Sequence, residues 1–62
     1  MNIYQAEIDF QDGAHYLVYT SRPMTKTQRG RDRQMDNVTN YFCDQYRGRE
    51  FKRLTVTLVP SV

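Results

Sequence analysis

The chain is poor in the residues that most often carry chemistry: one cysteine, one histidine, no tryptophan, two prolines and three glycines in 62 residues. A lone Cys43 closes no internal disulfide, and a secreted domain of this length normally leans on several, so a reducing, cytoplasmic setting is expected. One cysteine and one histidine fall short of the three or four ligands of a zinc site. No metal or other cofactor is expected. Gly13, Gly30 and Gly48 stand apart and form no phosphate-cradling loop. No apolar run approaches the roughly 18 residues that cross a bilayer. The opening MNIYQAEIDF lacks the basic and apolar regions of a signal peptide, so neither export nor membrane contact is expected. Cys43 and His15 would need hydrogen-bond reach to act as nucleophile and base; a strand-edge histidine, opposite Phe10, and a partly buried helix thiol is the simpler reading. Asp32, Asp36 and Asp44 recur on one helical face and read as partners of Arg29, Arg33, Arg47 or water. An enzyme is not expected.

What is present suffices for a fold. Hydrophobic residues make up 39% of the chain, with five tyrosines and three phenylalanines, enough to place it among globular rather than disordered sequences. Residues 1 to 62 form a single domain. At this size only about 60% of the unfolded chain's surface is buried, so the core is small.

Residues 3 to 10 alternate, with Tyr4, Ala6, Ile8 and Phe10 on one side and Gln5, Glu7 and Asp9 on the other, the period of a half-buried strand. Asp12-Gly13 then signals a two-residue hairpin turn. That register pairs Gln11 with Ala14, Phe10 with His15, Ile8 with Leu17 and Ala6 with Tyr19, so Leu17 and Tyr19 join the core while Tyr16 and Val18 look outward. Pro23 closes the second strand. Thr25 and Gln28 have capping-box spacing, and Met35, Val38, Phe42 and Tyr46 form one helical stripe. Arg47 and Gly48 suit a helix end. A helix from Thr25 to Arg47 would overhang the sheet; the alternative is a basic loop with the helix capped at Asp32. Residues 51 to 59, FKRLTVTLV, read as a third strand. The fold is thus α+β, in the order β-β-α-β, and the right-handed crossover rule allows strand order 2-1-3 in an antiparallel sheet with the helix across one face. The terminal PSV reads as a loose end.

Charge is distributed unevenly. Residues 1 to 21 hold three acids and no Lys or Arg, whereas residues 22 to 62 hold nine basic residues against four acids. Arg22, Lys26, Arg29, Arg31 and Arg33 crowd into twelve positions, and Arg47, Arg49, Lys52 and Arg53 surround the turn into the last strand. Arginine outnumbers lysine seven to two, and its planar fork suits paired contacts to carboxylates or phosphates. Apart from Arg47, none of the nine has an evident structural task. Arg22, Lys26, Arg29, Arg31, Arg33, Arg49 and Arg53, together with an outward-facing Tyr16, are therefore the candidate partner-binding residues. Direct contact with DNA or RNA is the alternative, although Gln5, Glu7 and Asp9 on the outer sheet face and a net charge of only +2 weigh against a stacking platform. Tyr16, Val18, Phe51 and Val59 on that face, with open sheet edges, also leave room for pairing with a second copy.

A hairpin, a helix and a final strand carrying GREFKRLTVTLVP resemble the small proteins with which bacteriophages subdue their hosts. The architecture is similar to podophage inhibitors of host RNA polymerase and to small anti-CRISPR proteins that bind type I surveillance complexes. The resemblance covers most of the chain as a pattern of elements. It implies a phage- or prophage-encoded, non-catalytic protein that binds a bacterial protein or nucleoprotein complex in the host cytoplasm, with Arg49 or Arg53 nearest to the arginines that matter in the polymerase inhibitors.

Overall fold

A run of nine alternating residues, Asn2–Phe10, forms strand β1, and its burial follows the alternation: Tyr4, Ala6, Ile8 and Phe10 are all sequestered on one face. Such a strand needs neighbours on both sides and a cover on one face. A computed structural model, which describes residues 1–60, supplies all three. Strands β2 (His15–Arg22) and β3 (Phe51–Val59) flank β1 antiparallel, in the order β2-β1-β3. Helix α1 (Gln28–Gln45) lays Val38 and Phe42 over the buried face of β1, with Met35, Tyr46, Leu54, Val56 and Leu58 packed around them. The strand order and the helical stripe are those expected from the sequence. The expected loose end lies mostly outside the described residues.

The hairpin register differs from expectation by one residue. The Phe10 amide donates to the Ala14 carbonyl (2.9 Å) and the Gly13 amide to the Phe10 carbonyl (3.0 Å). Gln11, Asp12 and Gly13 therefore make a three-residue turn, with Gly13 at φ +92°, an arrangement in which a left-handed glycine follows a tight turn. The Asp12 carboxylate accepts from the Ala14 amide at 2.9 Å and braces it. Asp9 now faces His15, Ile8 faces Tyr16 and Ala6 faces Val18. Because side chains alternate, the slip exchanges the faces of the whole strand: Tyr16 and Val18 turn toward the helix, and Leu17 and Tyr19 turn outward. A second irregularity changes the side of only the first residue of β3, while Leu54, Val56 and Leu58 stay on the helix side. Asp9 pairs with Arg53 but Phe10 with Phe51, so Lys52 is the extra residue of a bulge. Phe51 thereby joins the helix side, its ring centroid 5.4 Å from that of Phe10.

The helix is shorter than expected. Thr27 is its N-cap, accepting from the Gly30 amide at 3.0 Å, so neither Thr25 nor Asp32 caps it. Gly30 has a purpose at this point, since a side chain there would come within 3.2 Å of the Thr27 cap oxygen. Tyr46 caps the other end and Gly48 takes φ +92°, which leaves Arg47 beyond the helix. Eighteen residues span about 27 Å, close to the length of a nine-residue strand, so the front of the helix does not overhang. It is tied down. Thr25 and Gln34 instead bind the start of β1: buried Asn2 donates through Nδ2 to Gln34 Oε1 (2.9 Å) and Thr25 Oγ1 (3.2 Å). The Tyr4 hydroxyl donates to the same Gln34 oxygen at 2.6 Å, and Gln34 Nε2 donates to the Pro23 carbonyl at 2.9 Å.

Candidate binding surface

The arginines separate into two groups once their surroundings are read. Arg22 and Arg49 have structural tasks, contrary to expectation. Arg22 lies opposite Asn2 on the helix side, donates to Thr20 Oγ1 and the Ser21 carbonyl (both 2.8 Å) and stacks 5.0 Å from the Tyr41 ring centroid. Arg49 is held more firmly. Its guanidinium carbon sits 3.7 Å from the Phe10 centroid and 5.2 Å from that of Tyr16, while its nitrogens donate to the Tyr16 hydroxyl and the Asp12 carboxylate, each at 3.1 Å. The Tyr16 hydroxyl and Asp12 both hold the proton on Arg49, raising its pKa. The Ala14 amide, and then Arg49, lower that of Asp12. Phe10, Tyr16 and Tyr46 meet edge to face around this clamp. Tyr16 is thus a wall of the hairpin end, not an outward stacking residue.

The second group stays in solvent. Lys26, Arg29 and Arg33 are exposed and Arg31 half-buried, all at or just before the first turns of α1. Arg31 donates only to the neutral Gln28 side chain (2.8 Å), and Asp32 accepts from Gln28 rather than from an arginine. Among the described residues, no carboxylate lies within ion-pair distance of these four cations. Of the expected helical pairs only Arg47–Asp44 is formed, at 3.3 Å and well exposed, a contact worth little. The first turn of α1 contains no acid, so the helix dipole adds to the positive potential there.

Arg53 belongs to a different setting, the outer sheet face, opposite Asp9. There His15 Nδ1 lies 2.5 Å from Asp9 Oδ1 and Nε2 lies 3.5 Å from Glu7 Oε2. The hydrogen bond to Asp9 raises the pKa of His15, helped by Glu7, and the same bond lowers that of Asp9, helped by Arg53 and Lys52. His15 is on this face and Cys43 on the helix across the sheet, so no thiol–imidazole pair forms. Among the described residues, no cluster of three or more His, Cys, Asp or Glu could hold a metal ion, and no helix is long and apolar enough to cross a membrane. The Arg49 clamp borders a hollow of about 280 Å³ lined by Phe10, Gln11, Asp12, Gly48, Arg49 and Glu50; within it Asp12 and Arg49 are already engaged with each other.

No protein-family model, curated protein or solved structure matches the chain. The surface is therefore read from its own geometry. What that geometry brings together is Lys26, Arg29, Arg31 and Arg33; it withdraws Arg22, Arg49 and Tyr16, and sets Arg53 apart. Aromatic partners explain the withdrawals. Each of these half-buried arginines, Arg22 and Arg49, covers a ring that sequence spacing alone does not bring within reach.

Proposed function

We propose that the chain is a non-catalytic binding protein that docks an acidic surface of a bacterial protein or nucleoprotein complex through the basic first turns of α1. The observation that carries this is the contrast among the basic residues: Arg22 and Arg49 are consumed by the fold, whereas Lys26, Arg29, Arg31 and Arg33 are held in one region without a carboxylate partner among the described residues. Three exposed cations and the half-buried Arg31 beside them cost little in a small domain and gain charge-assisted bonds on meeting carboxylates or phosphates. The architectural resemblance to phage inhibitors of host machinery supports a host-directed, phage-encoded role. Acids on the outer face, Glu7 and Asp9, and the inward position of Tyr16 favour a protein partner over a stacked nucleic acid.

The test is capture from a nuclease-treated bacterial lysate with the chain as bait, beside a Lys26→Glu/Arg29→Glu/Arg33→Glu variant. A stoichiometric partner retained by the parent and lost by the variant is expected. Recovery that the triple reversal leaves unchanged, or no partner at all, overturns the reading. Binding to generic RNA or DNA that weakens steeply with salt would replace it with direct nucleic-acid contact.

A further inference from the structure

The order β2-β1-β3 leaves two strands with an unpaired edge, and they are not equally defended. β3 holds Lys52 and Arg53 next to its first residue and carries a bulge there, whereas the proline after it, Pro60, has its counterpart in Pro23 after β2. Charge, bulges and proline are the usual means by which an edge refuses a further strand. β2 has none of these over HYLVYTS, residues 15 to 21: the run holds no Lys, Arg, Asp, Glu, Gly or Pro and pairs with β1 without a register break. None of its residues is fully buried.

The ladder shows which backbone groups are free. The Phe10 amide bonds Ala14 on the β2 side, whereas the Gln11 amide bonds the Glu50 carbonyl on the β3 side. Direction alternates along an antiparallel strand. Tyr16, Val18 and Thr20 are therefore committed to β1, and the N–H and C=O groups of His15, Leu17, Tyr19 and Ser21 point away from the sheet. The same residues send their side chains to the uncovered face, where Leu17 is 50% and Tyr19 56% exposed.

We propose that β2 of a second copy occupies this edge, antiparallel about a two-fold axis at Val18. Only odd-numbered positions can bond across the seam, so odd must face odd. The register that sets Leu17 against Tyr19 of the second copy also sets His15 against Ser21 and uses all the outward-bonding residues of both chains. It opposes no like charges: the run has no acid, and Arg22 falls opposite Ala14. The product is a continuous six-stranded sheet, with both helices on one face and a cluster of two Leu17 and two Tyr19 side chains at the centre of the other. This interface is self-complementary, as a closed two-fold dimer requires, and independent of the basic turns of α1.

One strand pair is at the small end of protein contacts, so assembly is expected between about 10 μM and 1 mM. Sedimentation across that range should show the mass rising from 7.4 kDa toward twice that value. Amide exchange should slow at Leu17 and Tyr19 as concentration rises, with no such change at the free edge of β3. Leu17→Lys, on the solvent face, should weaken the dimer at least about tenfold, because a two-fold interface counts each substitution twice. Thr57→Lys, on the same face of β3, should leave it intact. A chain that remains monomeric at about 1 mM overturns the pairing. A dimer indifferent to Leu17→Lys overturns it as well.

Discussion

Replacing Gln34 by leucine should cost more than replacing Tyr4 by phenylalanine, although both remove the same 2.6 Å hydrogen bond. In Tyr4→Phe, Gln34 Oε1 keeps its bond from Asn2 Nδ2 at 2.9 Å, so the loss is that of an ordinary bond, about 0.5–1.5 kcal/mol. In Gln34→Leu, the hydroxyl of a side chain with no solvent exposure loses its acceptor, and Asn2 keeps only the longer bond to Thr25 at 3.2 Å. Stranding a buried donor costs about 1–3 kcal/mol, so with the weakened Asn2 contact the sum is about 2–4 kcal/mol. Against a total of about 3–9 kcal/mol for 62 residues, that is a large share. At about 4–8 °C per kcal/mol, Tyr4→Phe lowers Tm by several degrees and Gln34→Leu by about 8–30 °C. The decisive measurement is the double mutant in urea. Once the phenol is gone, Gln34→Leu should cost about 1–2 kcal/mol less than it does alone. Additivity within about 0.5 kcal/mol, or a larger cost for Tyr4→Phe than for Gln34→Leu, would refute the claim that Gln34 joins helix to sheet.

Phe42→Ala removes one of two buried helix side chains and should cost about 3–5 kcal/mol, leaving the domain largely unfolded at 37 °C by circular dichroism. Gly13→Ala meets no neighbouring atom but must adopt φ +92°, so a loss of about 1–2 kcal/mol is expected from backbone strain alone, with Gly13→Asn milder; urea midpoints at constant slope check both. The His15–Asp9 contact has a raised histidine pKa and a lowered carboxylate pKa. Its contribution is therefore complete between the ordinary values of 3.8 and 6.5, is lost on acidification through the folded carboxylate value and is lost at higher pH through the folded imidazole value. An NMR titration should place the His15 midpoint above that of an unstructured peptide, and Asp9→Asn should bring it down.

Elements were legible in the sequence and faces only in part. Period two in β1, the Met35–Val38–Phe42–Tyr46 stripe and the β-branched run of β3 are each dictated by one buried side, so strand order and helix placement followed from them. β2 gives no such instruction, because Tyr16 and Val18 are as apolar as Leu17 and Tyr19, and only the number of turn residues chooses between them. Nor does alternation reveal that Lys52 is bulged. The solvent-facing cations Lys26, Arg29, Arg31 and Arg33 were readable because nothing apolar lies among them. The tasks of Arg22 and Arg49 were not, since each depends on a ring brought near only by the final packing, Tyr41 for one and Phe10 with Tyr16 for the other.

The three-residue turn makes this small protein unusually open to change by a single codon. A substitution at Asp12 that favoured a two-residue turn at positions 12 and 13, closed by Gln11 and Ala14 instead of Phe10 and Ala14, would rotate every β2 side chain to the opposite side, inserting Leu17 and Tyr19 beneath the helix and turning Tyr16 and Val18 to the outside. Such a step would redraw one whole surface at once while leaving the β1–β3 half and the basic helical turns unaltered, a route by which a descendant could exchange partners without rebuilding its centre.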